Sequence, residues 1–204
     1  MNEEERIALK ERVLVNCSSG YAEYDVETMI SKDRIIWLHG SVQDETVRNL
    51  INKLLYLDSQ SHDEITIFIK SPGGAIQDGV SVCDIISIIH SPVRTIAVGL
   101  VASMAAVIFA AGKKGRRFML PSSKLMIHEP LISNTGRVNV SQIIKLGESM
   151  TETKTKVNKL LSDYTGKSID EINEDTNEDK YFTAVEAIAY GLADEILTSE
   201  NYIN

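Results

Sequence analysis

The chain has 204 residues, of which 43% are apolar and 25% charged, and a formal net charge of −8. That is enough chain for one domain with a real core, spanning 1–204, and the composition is average for a soluble globular protein. The acidic balance argues against a protein that follows nucleic-acid phosphates, so no nucleic-acid partner is expected.

The N-terminal stretch Met1-Asn-Glu-Glu-Glu-Arg-Ile-Ala-Leu-Lys-Glu-Arg12 is too charged for a secretory signal. No linker, low-complexity tract or repeat follows it. Residues 34–39 read as a strand. Residues 44–57 read as a helix, with Val47, Leu50, Ile51, Leu54 and Leu55 at helical spacing. A second strand over 64–69 is broken sharply by Ser71-Pro72-Gly73-Gly74. A helix over 77–90 stops at Ser91-Pro92, and a strand over 93–98 leads into a helix from about Ser103. Two short strands are expected around Arg117-Phe118-Met119 and Leu125-Met126-Ile127. A long helix follows over 141–164, with Ile143, Leu146, Met150, Val157 and Leu160 at helical spacing. The last helix opens on the capping-box pattern Thr183-Ala-Val-Glu186 and ends at Gly191. Strands alternating with helices predict an α/β fold with mainly parallel pairing.

Residues 95–112 carry no charge and are long enough to suggest a membrane span. Gly99 and Ser103 interrupt the run, its first half is strand-like and its second alanine-rich. A buried strand followed by a buried helix explains the same letters, and no membrane contact is expected. The short basic run Lys113-Lys114-Gly115-Arg116-Arg117 reads as a solvated turn. Cys83 lies in an apolar helical pattern and reads as a small core residue. Neither it nor Cys17 has a spacing that suggests metal or redox work, and reduced thiols in an intracellular protein are expected.

Ser103 is a lone hydroxyl at a strand-to-helix corner. It is either a helix N-cap or a nucleophile beside the unpaired N–H groups of the helix start. The flanking Val101 and Ala105 do not match the G-x-S-x-G elbow. Gly73-Gly74 is either a plain turn or a loop whose backbone N–H can approach a ligand, and it lacks the further residues of a phosphate loop. Four histidines are present. His90 fits a helix C-terminus capping carbonyls, His62 a polar loop, and His39 a strand end. His128 follows a strand and precedes Glu129-Pro130, the natural place for a base serving Ser103. The acidic stretch 174–182 offers Asp175, Glu178 and Asp179, and spacing alone does not choose among them.

Several ordered motifs together resemble the Clp protease proteolytic subunit (ClpP) family. They are Ser71-Pro-Gly-Gly74, Ala102-Ser-Met-Ala105, Gly112-Lys-Lys-Gly-Arg-Arg-Phe118, Leu120-Pro121, Met126-Ile-His128 with Pro130-Leu131, Asp175-Thr176, and Ala187 through Asp194. The similarity runs from about Tyr24 to the C-terminus. It implies Ser103 as nucleophile, His128 as general base, Asp179 as orienting acid, and the N–H groups of Gly74 and Met104 as the oxyanion hole, with no cofactor and no metal. It also implies a crotonase-like spiral of β-β-α units with a protruding handle helix in a region of about 132–164, after a variable N-terminal segment, 1–23. The family stacks heptameric rings in pairs, a tetradecamer with internal active sites, so access rather than side-chain recognition restricts substrates. An AAA+ unfoldase of the Clp type feeds it unfolded polypeptide and consumes the ATP. The implied location is the bacterial cytoplasm. Phe68, Ile88, Ile96, Val98, Phe118 and Leu197 align with the family's docking pocket for that partner, with Thr66 where an aromatic is usual.

The sequence departs from the family pattern at Lys70, Glu129, Ile132-Ser133 and Glu178, which stand for Asn, Gln, a Gly-Gly pair and Arg respectively. Its charged N-terminal segment also departs from the axial-loop pattern. The four residue departures keep open one alternative, a weakly active or regulatory ring subunit completed by a paralogue; a separate alternative is an acyl-CoA hydratase or isomerase of the related crotonase fold.

Overall fold

The computed structural model describes residues 12–17, 20–132 and 136–202. Strands β1 (Arg12–Cys17) and β2 (Gly20–Asp25) pair antiparallel as a separate hairpin. Helix α1 (Val26–Lys32) follows, capped by the Asp25 carboxylate, which accepts from the Thr28 N–H at 2.7 Å. None of these was predicted. Within the segment expected to be variable, residues 1–11 and 18–19 lie outside the described residues.

The remaining elements, in chain order, are β3 (Ile35–His39), α2 (Asp44–Gln60), β4 (Ile65–Ser71), α3 (Ile76–Ile88), β5 (Val93–Ala102), α4 (Met104–Ala110), β6 (Arg117–Met119) and β7 (Lys124–Ile127). They continue with α5 (Val140–Thr165), α6 (Ile169–Asp175), β8 (Lys180–Thr183), α7 (Ala184–Tyr190) and β9 (Glu195–Ile196). The main sheet runs β3-β4-β5-β6-β9, all parallel, with β7 parallel to β5 and β8 antiparallel to β7. It is the expected α/β fold with mainly parallel pairing.

The ten-residue β5 changes partners along its length. Thr95–Ala97 pair with β6, and Leu100–Ala102 with β7. Gly99, at φ 65°, takes the left-handed conformation that glycine accommodates, and its N–H donates to Ser123 Oγ at 2.9 Å. That kink aims the end of β5 at β7, which carries the next functional residue.

Strand β4 alternates: Ile65, Ile67 and Ile69 enter the main core, while Thr66 and Phe68 face the other side. The main core packs them against Val47, Leu50 and Leu54 of α2 and all of α4, whose seven residues are buried. Ile96, Phe118 and Leu197 form a second cluster, with Phe68, Val98 and Leu120 against it. The uncharged run 95–112 thus resolves into a strand and a short helix. No helix among the described residues is long and apolar enough to cross a membrane.

The basic run is not the solvated turn expected. Lys113 and Lys114 are exposed, but Arg117 is 2% exposed. Its Nη2 and Nε meet the Asp194 carboxylate at 2.6 and 2.9 Å, and Nη1 donates to the Tyr164 carbonyl at 3.0 Å. Arg116 Nε donates to Glu64 at 2.6 Å. Two carboxylates distant in sequence draw these guanidinium groups inward. Cys83 is buried as expected, which pushes its thiol up to about 12; the Cys17 side chain lies outside the described residues.

Helix α5, 26 residues long, matches the long helix expected over 141–164. Its first turns are exposed: Val140 is 74%, Ile143 55% and Ile144 58% accessible. Its last turns dock through buried Val157, Asn158 and Leu161. The periodic stripe read from the sequence is therefore half core and half exposed.

Candidate active site

Ser103 sits between β5 and α4 with φ 54° and ψ −129°, a conformation that costs a non-glycine residue about 1–3 kcal/mol. Neighbours hold it there. Its N–H donates to the Met126 carbonyl on β7 at 2.8 Å, and its carbonyl accepts from the Ala106 N–H at 2.9 Å. The hydroxyl makes no capping bond to α4. It lies 2.9 Å from Nε2 of His128 instead. Ser103 is thus the N-cap residue of α4 by position, while its hydroxyl is turned to His128 rather than to the helix.

His128 follows β7 directly. Its Nδ1 lies 3.0 Å from Oδ1 of Asp179. A carboxylate only accepts, so the Nδ1 proton points to Asp179 and the Nε2 lone pair faces the Ser103 hydroxyl. Strand register explains the meeting. β7 and β8 are antiparallel with Ile127 opposite Lys180, so the next step outward sets 128 against 179. The imidazole is largely enclosed, at 13% side-chain exposure, whereas the Asp179 side chain is 56% exposed.

The other two acids of the stretch go elsewhere. Asp175 accepts from Tyr190 Oη at 2.7 Å and pairs with Lys180. Burial raises its carboxyl, but these partners outweigh that and hold it below its ordinary value. Burial, then Asp175, pushes the Tyr190 hydroxyl up. Glu178 is exposed and forms no ion pair among the described residues.

The turn before Asp179 is braced by residues that sequence reasoning missed. The Glu129 N–H donates to the carbonyl of buried Thr176 at 2.7 Å. Asn158, on the docked half of α5, donates through Nδ2 to Asn173 Oδ1 at 2.8 Å and to Thr176 Oγ1 at 3.2 Å. Lys154 Nζ reaches Glu129 Oε2 at 2.7 Å and Asn177 Oδ1 at 3.1 Å. One signal was available: Asn158 is an amide between apolar Val157 and Leu161 on a face expected to be core. Glu129, read only as a departure, is one acceptor in this brace.

The Gly73-Gly74 loop packs directly on Ser103. A Cβ on Gly73 would lie 2.6 Å from Ser103 Cβ, and one on Gly74 2.2 Å from the Val42 carbonyl oxygen. The loop is tied by Val42 N–H to the Gly73 carbonyl at 2.9 Å and Ala75 N–H to the Val42 carbonyl at 2.8 Å. No backbone bond among the described residues takes the N–H of Gly74 or of Met104. A cavity of about 690 Å³ opens beside Ser103 and His128, walled by Ile76, Met126, Pro130, Leu131 and Met150. Such an apolar groove can receive an extended chain.

Of the other histidines, His39 ends β3 as expected. His90 does not cap α3; Ile89 is the cap residue, and the His90 N–H donates to Asp58. Among the residues aligned with a docking pocket, Phe68, Ile96, Val98, Phe118 and Leu197 do cluster. Ile88 is 67% exposed and stands outside that cluster. Thr66, Phe68 and Ile96 line a cavity of about 470 Å³ together with Arg94 and Tyr202. Ile132 is 47% exposed, and its neighbour Ser133 lies outside the described residues.

The family model described as Clp protease matches residues 18–200. An ATP-dependent Clp protease proteolytic subunit of Ligilactobacillus salivarius (strain UCC118) is 39% identical over 192 residues, which are 94% of this chain and 96% of the relative. A protein of the same description from Leuconostoc citreum (strain KM20) is 37% identical over 187 residues, 91% of this chain and 94% of the relative.

Proposed function

This chain belongs to the Clp protease family, and we propose that it is a serine endopeptidase subunit cutting unfolded polypeptide through an acyl-enzyme on Ser103. The observation that carries the reading is the unbroken chain from Ser103 Oγ to His128 to Asp179 at 2.9 and 3.0 Å. Ser103 Oγ attacks the scissile carbonyl while its proton passes to His128 Nε2. The imidazolium, stabilised through Nδ1–H by Asp179, returns that proton to the leaving amine. Water, deprotonated by His128, then hydrolyses the ester. The developing oxyanion is held by the N–H groups of Gly74 and Met104, and a donor of this kind contributes about 2.7–4 kcal/mol in the transition state. The side chains do this chemistry without a cofactor. Ser103→Ala removes one oxygen and is expected to leave the fold intact and abolish peptide cleavage. Undiminished cleavage would reject the assignment.

Assembly and partners belong to the same proposal. The exposed apolar turns of α5 and the neighbouring Leu131, 68% exposed, support contacts between copies, in heptameric rings stacked in pairs. The cluster around Phe118 supports docking of a Clp-type AAA+ unfoldase that uses ATP and delivers unfolded chains in the bacterial cytoplasm. Thr66 stands where the family pattern has an aromatic, and Arg94 lines the same pocket. The unpaired Glu178 favours one variation, a ring that pairs weakly and is completed by a paralogue. If carboxylate repulsion limits pairing, Glu178→Arg raises both the double-ring fraction by native mass and the peptidase rate. A wild type already fully paired and active at low salt contradicts the variation.

A further inference from the structure

A second set of ligand-type side chains lies where α2 and α3 end. Asp58 is in the last turn of α2, His62 follows four residues later, and His90 follows α3. Asp58 Oδ1 accepts from His90 N–H at 3.1 Å, Ser91 N–H at 2.8 Å and Ser91 Oγ–H at 2.8 Å. Those bonds tie the α3–β5 turn to α2 and account for one carboxylate oxygen. The other, Oδ2, receives no hydrogen bond from the described residues.

Both imidazoles face that carboxylate. Their rings lie 4.9 Å apart at 34°. His62 Nδ1 is 3.4 Å from Asp58 Oδ1, and His90 Nδ1 is 3.9 Å from Asp58 Oδ2. One donor atom from each of the three residues falls within 4.8 Å of the others. No Lys or Arg among the described residues pairs with Asp58. The Ser91 hydroxyl, then the Ser91 N–H, lowers the carboxyl to about 2.

We propose that Asp58, His62 and His90 form a surface site for a first-row transition-metal dication of the zinc type, with one coordination position left to water.

Two imidazoles and one carboxylate are the donors such ions take, whereas magnesium and calcium favour all-oxygen sets. Zinc–nitrogen and zinc–oxygen bonds of about 2.0–2.2 Å in a tetrahedron set donors about 3.3 Å apart. The side chains of His62 and His90 are 64% and 77% exposed, so both rings have room to turn toward an ion. The groups that would orient the carboxylate are already in place. Ser91 and the His90 N–H fix the carboxylate, and Arg34 Nη2 donates to Ser91 Oγ at 3.0 Å. The bound ion would staple the end of α2 to the α3–β5 turn, apart from Ser103.

The test is zinc titration of the EDTA-treated full chain by calorimetry, with cobalt(II) absorption reporting coordination. A His128→Ala background removes the triad imidazole as a competing ligand. The expected result is one ion per chain in that background, weakened at least about tenfold by His62→Gln or His90→Gln, and roughly 10–100-fold by Ser91→Ala. Saturating zinc raises the thermal midpoint. The exposed histidines can be replaced without disturbing the core. Absence of stoichiometric binding, or binding that survives both histidine replacements together, overturns the proposal.

Discussion

Imidazole meets carboxylate in two places in this chain, and the two differ in how much of the ring is committed. At His128 both ring nitrogens have partners, Ser103 on one side and Asp179 on the other, and the ring is mostly enclosed. At His62 and His90 only Nδ1 turns toward Asp58, and the rings stand in solvent. The first arrangement fixes a tautomer and aims a lone pair at a hydroxyl, which is what a general base needs. The second leaves exposed rings that can turn to meet an ion. Residue type is shared; strand register and burial separate the two.

The sharpest way to break the comparison is at the carboxylate. Asp179→Asn keeps the size and stabilises the wrong tautomer of His128, so peptide turnover should fall by about 10³–10⁴-fold. Asp175→Asn, whose carboxylate is held by Lys180 and Tyr190, should cost less than tenfold. The reverse ranking in steady-state assays would show that the register between β7 and β8 does not choose the acid.

The loop is the next point. Gly74→Ala places a Cβ 2.2 Å from the Val42 carbonyl oxygen and must displace the loop. Turnover should drop by about 10²–10³-fold, the loss expected for one oxyanion donor. Wild-type kinetics in this variant would mean that the loop does not serve Ser103.

Stability tests a third carboxylate, one paired to arginine. Arg117→Met leaves the half-buried Asp194 carboxylate without its partner and should destabilise the fold by about 3 kcal/mol in denaturant melts. Burial raises the Asp194 carboxyl, but the Arg117 bonds outweigh it and hold it below its ordinary value. The contribution is therefore complete at neutral pH and is lost as pH falls below that value. The stability gap between wild type and Asp194→Asn should shrink in acid. A gap independent of pH would contradict the pairing.

The smallest effect is expected at the brace. Lys154→Met releases Glu129 and Asn177 from α5 and should lower kcat by about tenfold with KM unchanged, as a positioning residue would. Lys154→Arg should restore most of it. An equal loss in both variants, or a loss confined to KM, would deny the brace its role.

Much of this was legible in the letters. Val47, Leu50 and Leu54 announce α2, the Thr183–Glu186 box announces α7, and Ser71-Pro-Gly-Gly74 marks the loop because glycine and proline punctuate any fold. What escaped depends on tertiary pairing. β8 and β9 are short and exist through partners far away in the chain. The hairpin β1–β2 exposes Leu14 and Tyr21, so no buried face writes a period into it. Spacing could not choose among three acids, since the choice is made by Ile127 standing opposite Lys180. Arg117 reads like Lys113 until Asp194 is brought beside it.

The most direct measurement is fluorophosphonate labelling of the purified chain, read by intact mass and peptide mapping. One adduct should form per active chain, on Ser103, and His128→Ala should slow its formation by orders of magnitude while leaving the fold intact. An adduct on another residue, or labelling of Ser103 at an unchanged rate without His128, would contradict the account.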